Sequence, residues 1–353
     1  MVEPMPSDVP EIIVAPDTLA SSIPLPKSYK KAVTGPYRRY WIEAIRQELE
    51  NLLERKVWRE EALPAGSKPV PGKYVWKVKR TDTGTIAKWK ARYIVQGFRQ
   101  RAGHDYDKTF AGVANIVTIR VLLAIACELG WEIHQMDVKA AYLCSSIEKN
   151  VRMYIQCPKG YALEPGMHAR LLRGLYGTKQ GGALWAKLRT NVLKKLNLQQ
   201  SLAEPSLYTR IRDGKRLLVA CIVDDFVITG HKDEILVFKT AIAKEWEMTD
   251  EGRPFWCLNL RITRDTTRGL LKIDQAQYVD EILKRFNMDA CNTRKTPMKE
   301  KPVLTDMCPD KPEDYEETFP YANALGCLLY LRLTRPDCLV PISIFGKVHK
   351  KPE

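Results

Sequence analysis

Residues 217–230 read LLVACIVDDFVITG, which is two apolar runs separated by a pair of aspartates. The first run, LLVACIV, carries β-branched residues and is typical of a buried strand. The second run, FVIT, follows at once, so Asp224 and Asp225 lie where a hairpin would turn. Two adjacent carboxylates at the end of an apolar hairpin repel each other, which indicates a bound cation. An isolated Asp-Asp pair is otherwise typical of a solvated turn.

A third acidic residue, Asp137, lies upstream in the stretch WEIHQMDVKAAYL. It ends an apolar strand just before a helix-like segment, so capping of that helix is the simple alternative for it. If its strand neighbours the hairpin in one antiparallel sheet, three carboxylates meet at one edge. Such a site offers oxygen ligands without histidine or cysteine partners, which favours Mg²⁺ over zinc.

The composition is that of a globular protein, with 45% hydrophobic and 28% charged residues in 353. The formal net charge of +14 favours a polyanionic partner, nucleic acid first and an anionic membrane surface second. The cysteines are scattered without a CxxC pair, which argues against a disulfide framework and indicates a reducing, intracellular location. No apolar run approaches the length of a membrane span.

The pattern along the chain divides it into four segments. Prolines and weak periodicity predict a disordered leader or linker over residues 1–36. Helical and alternating patterns follow over residues 37–290, with antiparallel hairpins among them, and predict an α+β fold rather than a doubly wound sheet. Residues 291–320 are rich in proline and charge and predict a linker. A helix then begins the last segment, residues 321–353.

Five segments resemble, in order, the reverse transcriptase of Ty1/copia-type retrotransposons. They are KWKARYIVQGFRQRAGHDYDKTFAGVANIVTIR, GWEIHQMDVKAAYL, LYGTKQGGALW, CIVDDFVITG and LTRPD. The resemblance implies a right-hand polymerase with an antiparallel palm sheet, in which residues 37–290 form the fingers, the palm and the start of a thumb. Residues 321–353 would begin a connection segment that stops before a ribonuclease H domain. The ribonuclease H and integrase segments of a Pol polyprotein are expected partners that this chain lacks.

The resemblance also implies roles for the acidic residues and for the nucleotide site. Asp137 and Asp224 would bind two Mg²⁺ ions, for which Mn²⁺ can substitute, and Asp225 would be a more peripheral ligand. Tyr142 falls where the family keeps an aromatic residue that leaves no room for a ribose 2′-hydroxyl; an ordinary buried aromatic is the alternative. Gln180 matches a glutamine that helps seat the deoxynucleoside triphosphate, whereas by itself LYGTKQ would be a loop before a helix.

The basic hairpin YVWKVKR–TDTG–TIAKWKARYIV supplies candidate phosphate ligands. Lys90 and Arg92 are predicted to hold the triphosphate, since arginine can donate to two phosphate oxygens at once. Lys77 and Lys79 are predicted to bind there or on template phosphates. Lysines on an exposed hairpin are otherwise simply solvated charges.

The segment FWCLNLRI resembles the part of the family that supports the primer end, which implies primer contacts at Trp256 and Leu258. The other basic side chains would contact the backbone of an RNA or DNA template with its primer, with little dependence on sequence and weaker affinity at high salt. No membrane partner is expected. The predicted location is the cytoplasm, inside a virus-like particle, and/or the nucleus.

The predicted function is therefore RNA-directed DNA polymerisation by two-metal phosphoryl transfer. The alternative is a decayed retrotransposon fragment that only binds nucleic acid. Two departures from the family favour it: Ile222 stands where a tyrosine is usual, and Gly181, Gly182 and Ala183 replace Ala-Pro-Arg. A third hypothesis, a membrane-surface or scaffold protein, has only the net charge behind it.

Overall fold

The computed structural model describes residues 9–298 and 320–347, except residues 82, 107, 108, 110, 149, 254, 255 and 259. The chain forms two compact units. The larger comprises residues up to Ala126 together with Trp131–Gly252, and the smaller comprises Cys127–Gly130 and the chain from Arg253 onward. The mixture of helices and antiparallel sheets confirms the predicted α+β class.

The elements alternate between helix and sheet along both units. The helices are α1 (Tyr29–Thr34), α2 (Arg38–Glu54), α3 (Ile116–Glu128), α4 (Ala141–Cys144), α5 (Gly181–Lys195), α6 (Lys232–Glu245), α7 (Ala276–Arg285), α8 (Tyr321–Leu331) and α9 (Leu339–Lys347). The strands are β1 (Trp58–Ala62), β2 (Gly72–Arg80), β3 (Ile86–Val95), β4 (Glu132–Val138), β5 (Tyr154–Ile155), β6 (Met167–Leu171), β7 (Gln199–Gln200), β8 (Leu207–Arg212), β9 (Lys215–Ile222), β10 (Asp225–Gly230), β11 (Met248–Gly252), β12 (Trp256–Cys257), β13 (Leu260–Asp265) and β14 (Leu270–Asp274).

The larger unit is built on a six-stranded antiparallel sheet in the order β11-β4-β10-β9-β8-β7, here called the central sheet. Met136 and Phe226 of this sheet are buried in one cluster with Trp185 of α5 and Phe238 of α6. Successive side chains of a strand point to opposite faces. The neighbours of Met136 and Phe226 in the chain, which are Asp137 and Asp225, therefore lie on the face away from this core.

Strands β2 and β3 form a long hairpin with one aromatic face and one basic face. On the aromatic face, Trp41 of α2 meets Trp76 and Trp89 edge-on, with ring centroids 5.3 Å and 4.8 Å apart. Such contacts stabilise aromatic pairs beyond the burial of their surface. The two strands and the basic character of this hairpin agree with the sequence pattern of YVWKVKR and TIAKWKARYIV.

Sequence patterns did not predict a third sheet, β1-β6-β5, which also belongs to the larger unit. Strand β1 pairs with β6 across about a hundred positions, with Trp58 opposite Leu171. Residues near β5 have no clear alternation, so pairing with β6, rather than local pattern, makes this segment extended.

The structure differs from the predicted disorder of residues 1–36. Residues 1–8 lie outside the described part, but α1 packs Ala32 and Val33, both 0% exposed, into the core that contains Trp41. Ser28 caps this helix, because its Oγ accepts a hydrogen bond from the Lys31 N–H. A helix of six residues between prolines is too short to show periodicity.

The smaller unit contains the sheet β12-β13-β14 with α7, α8 and α9. The stretch FWCLNLRI does not form one continuous strand, because the chain turns at Leu258, whose φ is +51°, and β12 pairs back on β13. The boundary between the units falls after Gly252, inside the predicted range 37–290. Of the predicted linker, residues 299–319 lie outside the described part. None of the described helices has the length and apolar character that a membrane crossing requires.

Candidate active site

The two acidic segments lie on neighbouring strands of the central sheet, as expected from the sequence. Asp225, the first residue of β10, is directly opposite Asp137 of β4. Asp224 lies in the two-residue turn that joins Ile222 of β9 to Asp225, and its carbonyl accepts a hydrogen bond from the Val138 N–H at 2.9 Å. The register thus brings one carboxylate from β4 and two from the hairpin to one end of the sheet.

The turn between β9 and β10 contains a residue with a positive φ, and a buried tryptophan donates a hydrogen bond to it. Val223 has a φ of +53°, a region that costs a non-glycine residue about 1–2 kcal/mol. Trp185, which is 1% exposed, donates its indole N–H to the Val223 carbonyl at 2.6 Å. This hydrogen bond holds the backbone of the residue that precedes the aspartate pair.

Trp185→Phe is expected to lower the free energy of unfolding by about 1–2 kcal/mol more than Trp246→Phe, because it leaves the Val223 carbonyl without its donor. Trp246 packs on Trp185 with ring centroids 4.8 Å apart and is also buried, so its variant loses the same ring volume. Urea unfolding measures the difference. Equal losses in the two variants would contradict a role for the indole N–H.

Burial and mutual repulsion act on the three carboxylates. The pKa of Asp137 is raised to about 6, first by burial and then by the nearby charges of Asp225 and Asp224. Burial also raises the pKa of Asp224. Burial raises the pKa of Asp225 as well, although Gln135 donates a hydrogen bond from Nε2 to its Oδ1 at 3.2 Å. Negative charge at this end of the sheet is therefore unfavourable unless a cation compensates it.

The chemistry of the carboxylates fits a hard divalent cation. Among the described residues, no three acidic, histidine or cysteine side chains are gathered at ligand distances. The donors that the central sheet presents are nonetheless all oxygens, partly withdrawn from water and close enough to shift one another's pKa. Half-buried carboxylates of this kind suit Mg²⁺ or Mn²⁺ rather than zinc.

The predicted phosphate-binding cations lie on the basic face of the β2–β3 hairpin. Lys77 is opposite Lys90 in the register, and Lys79 and Arg92 lie on the same face because strand side chains alternate. The charges of Lys79 and Lys90 act against the rise in the pKa of Asp137. Those of Arg92 and Lys90 act against the rise in the pKa of Asp224. Burial, followed by repulsion from Arg92, lowers the pKa of Lys90. The structure thus brings Lys79, Lys90 and Arg92 near the carboxylates, whereas a phosphate contact of the exposed Lys77 stays a prediction.

Tyr142 lies beside the aspartates on the short helix α4. Burial raises the pKa of its hydroxyl, and the charge of Asp224 raises it further. Its ring meets the ring of Tyr176 edge-on, with centroids 4.9 Å apart and planes at 73°. Tyr142 therefore lies near Asp224, and its contact with a nucleotide sugar stays a prediction.

Gln180 is buried immediately before α5, and its amide is engaged within the protein. Its Nε2 donates to the Asp105 carbonyl at 2.9 Å, and its Oε1 accepts from Gln100 Nε2 at 2.9 Å. Gln100 in turn accepts from the Lys179 N–H at 2.6 Å. A direct contact of the Gln180 amide with a nucleotide therefore requires these hydrogen bonds to open.

The two residues predicted to support the primer belong to the smaller unit. Trp256 of β12 is 42% exposed. Leu258 forms the turn into β13, and its carbonyl accepts a hydrogen bond from the Tyr330 hydroxyl at 2.5 Å. Their contact with a primer stays a prediction.

Sequence reasoning missed four residues that act on the site. Gln135 could have been found, since it is two residues before Asp137 and so shares its face. Trp185 and Tyr176 stand in the quoted segment LYGTKQGGALW without an assigned role. Glu251 has no local signal. It stands at a bulge in β11, and its charge adds to the rise in the pKa of Asp225. Burial, followed by the charge of Asp137, raises the pKa of Glu251 itself.

Comparison with known proteins identifies the protein family to which this fold and this site belong. A family model described as "Reverse transcriptase (RNA-dependent DNA polymerase)" matches residues 55–300, and the chain belongs to this family. The resemblance to reverse transcriptases of Ty1/copia-type retrotransposons is confirmed by relatives of that kind.

The relatives are polyproteins of transposons. The chain is 30% identical over 336 residues to the retrovirus-related Pol polyprotein from transposon TNT 1-94 of Nicotiana tabacum, covering 93% of this chain and 25% of that protein. It is 28% identical over 340 residues to the Pol polyprotein from transposon RE1 of Arabidopsis thaliana, covering 95% of this chain and 23% of that protein. The chain thus spans about a quarter of their length. A solved foamy viral protease-reverse transcriptase in complex with double-stranded DNA gives a TM-score of 0.46 at 12% identity, covering 97% of this chain and 49% of that chain.

Proposed function

We propose that this chain extends a primer 3′-end with deoxynucleotides on an RNA or DNA template. The observation that carries the proposal is the placement of Asp137 opposite Asp225, with Asp224 in the turn and the cations of the β2–β3 hairpin acting on the same carboxylates. Nucleotidyl transfer needs metal-binding carboxylates and positive charge for a triphosphate at one place. Carboxylates and basic side chains lie together at this end of the central sheet, which supports the proposal.

Asp137 and Asp224 would hold two Mg²⁺ ions, with Asp225 as the more peripheral ligand and Mn²⁺ as a substitute. When bound, such ions stabilise the charge on the primer 3′-oxygen and on the pyrophosphate. The protein contributes by orienting the ligands in advance. The register of β4 with β10 fixes Asp137 and Asp225, and the hydrogen bond from Trp185 fixes the turn that carries Asp224.

The incoming nucleotide would lie between the hairpin and the carboxylates. Arg92 and Lys90 would contact the triphosphate, and Lys79 and Lys77 would contact either the triphosphate or template phosphates. Tyr142 would pack against the sugar and exclude a 2′-hydroxyl. The net charge of +14 supports a nucleic-acid partner, whose primer end would contact Trp256 and Leu258.

Other properties of the longer relatives enter only as part of the proposal. Integrase and ribonuclease H segments would act on the same nucleic acid within a Pol polyprotein. The reaction would take place in the cytoplasm, inside a virus-like particle, and/or in the nucleus.

Primer extension on poly(rA)·oligo(dT) with dTTP tests the proposal. The purified chain is expected to extend the primer in Mg²⁺ or Mn²⁺ and to stop when EDTA is added. Filter binding of the same template–primer runs in parallel. Tight binding without extension in either ion would overturn polymerase activity and support the binding-only alternative, which the departures at Ile222 and at Gly181–Ala183 favour.

A further inference from the structure

Tyr176 lies between the two side chains that we assign to the nucleotide triphosphate and to the sugar. The Arg92 guanidinium carbon is 4.7 Å from the centroid of the Tyr176 ring, over its face. The ring of Tyr142 also meets the Tyr176 ring, with centroids 4.9 Å apart and planes at 73°. The three side chains form one continuous stack, here called the Tyr176 stack, from the β2–β3 hairpin to the neighbourhood of Asp224.

The backbone around Tyr176 is fixed to the hairpin. The Val95 N–H donates to the Tyr176 carbonyl at 2.9 Å, so the end of β3 is hydrogen-bonded to this residue. The next residue, Gly177, approaches β3 so closely that a Cβ there would stand 2.1 Å from the Val95 carbonyl oxygen. The backbone of Tyr176 is therefore held against β3, the strand that also carries Arg92.

Small residues lie under part of the Tyr142 ring, which also packs against the buried cluster that contains Trp185. A Cβ at Gly181 would be 3.3 Å from Tyr142 Cδ1, and one at Gly182 would be 4.0 Å from Tyr142 Cε1. Glycine places no side chain at either point. The edge-to-face contact with Tyr176 adds an aromatic contact that helps to hold the Tyr142 ring in place.

We propose that Tyr176 is a positioning residue that couples triphosphate binding to sugar selection; this inference rests on the proposed function. A guanidinium that stacks by its face keeps its N–H edge free for phosphate oxygens. The same tyrosine ring presses on Tyr142 and holds it where a 2′-hydroxyl would have to fit. Loss of the ring therefore weakens triphosphate binding and relaxes discrimination against ribonucleotides together.

The test compares Tyr176→Leu with Tyr176→Phe, using kcat and KM for dTTP and for UTP on poly(rA)·oligo(dT). Tyr176→Leu is expected to raise the KM for dTTP and to lower the dTTP/UTP ratio of kcat/KM by about tenfold. This is the size expected when the Tyr176–Tyr142 aromatic contact is lost and the Tyr142 ring becomes free to move. Tyr176→Phe keeps the stacking face and edge, so its ratio is expected to stay within about twofold of the wild type. Because both nucleotides are measured on one preparation, partial unfolding cannot change the ratio.

Binding of dTTP and UTP to a dideoxy-terminated primer complex in Ca²⁺ gives a second readout without bond formation. A Tyr176→Leu chain that keeps the wild-type ratio in both readouts overturns the coupling. A Tyr176→Phe chain that loses discrimination as strongly as Tyr176→Leu also overturns it, since the hydroxyl rather than the ring would then matter. A wild-type chain that neither binds nor extends dTTP overturns the proposed function itself.

Discussion

Asp224→Asn is expected to lower the rate of primer extension by at least about 10³-fold, since metal-bound charge stabilisation is worth several kcal/mol and each 1.4 kcal/mol is tenfold. Asparagine keeps the size of the side chain and one oxygen acceptor, but it removes the negative charge that a divalent cation needs. Extension of oligo(dT) on poly(rA) at saturating dTTP measures the loss. An Asp224→Asn chain that extends within tenfold of the wild type would remove the assigned role.

The fold and the nucleic-acid affinity should survive this change. Burial raises the pKa of Asp224, so its ionised form destabilises the folded chain in the absence of metal, and the melting temperature in EDTA should not fall. Template–primer affinity should stay equal or rise, because the variant has one negative charge fewer to repel the phosphates. Asp213→Asn is the matched control: this exposed aspartate lies in the turn at the other end of β9 and should extend primers normally.

The central part of the site could be predicted from the sequence because its information is local. The run LLVACIVDDFVITG contains both strands of the β9–β10 hairpin and the two aspartates between them. Asp137 needed one further assumption, that β4 neighbours this hairpin, and the register confirms it. The basic face of the β2–β3 hairpin follows from alternation within each strand.

What could not be predicted depends on contacts between distant residues. The support of Val223 by Trp185 joins positions 38 apart, and nothing in either neighbourhood marks the hydrogen bond. The stack of Tyr176 on Arg92 needs β3 to reach the LYG turn, which only the tertiary fold achieves. The turn at Leu258 could not be predicted for another reason. Leucine is not a turn residue, so nothing in the sequence marks its positive φ.

Gly177→Ala is expected to lower the free energy of unfolding by about 3 kcal/mol or more, since it combines an unfavourable φ with overpacking. Gly177 has a φ of +85°, and a Cβ would stand 2.1 Å from the Val95 carbonyl oxygen. That oxygen belongs to the backbone and cannot rotate away as a side chain would. The end of β3 must therefore move away from Tyr176, and Arg92 moves with it. Urea unfolding measures the cost, and the dTTP/UTP ratio measures the displacement.

Gly66→Ala separates backbone strain from close approach. Gly66 has a φ of +77°, but a Cβ there would meet nothing within 4 Å. Its alanine variant should lose only about 1–2 kcal/mol, the cost of the left-handed conformation, and should discriminate between dTTP and UTP as the wild type does. Equal losses in the two variants would show that the contact of Gly177 with Val95 contributes nothing. A larger loss in Gly177→Ala together with altered discrimination would show that this contact sets the nucleotide site, because Gly66 shares the strain without the neighbour.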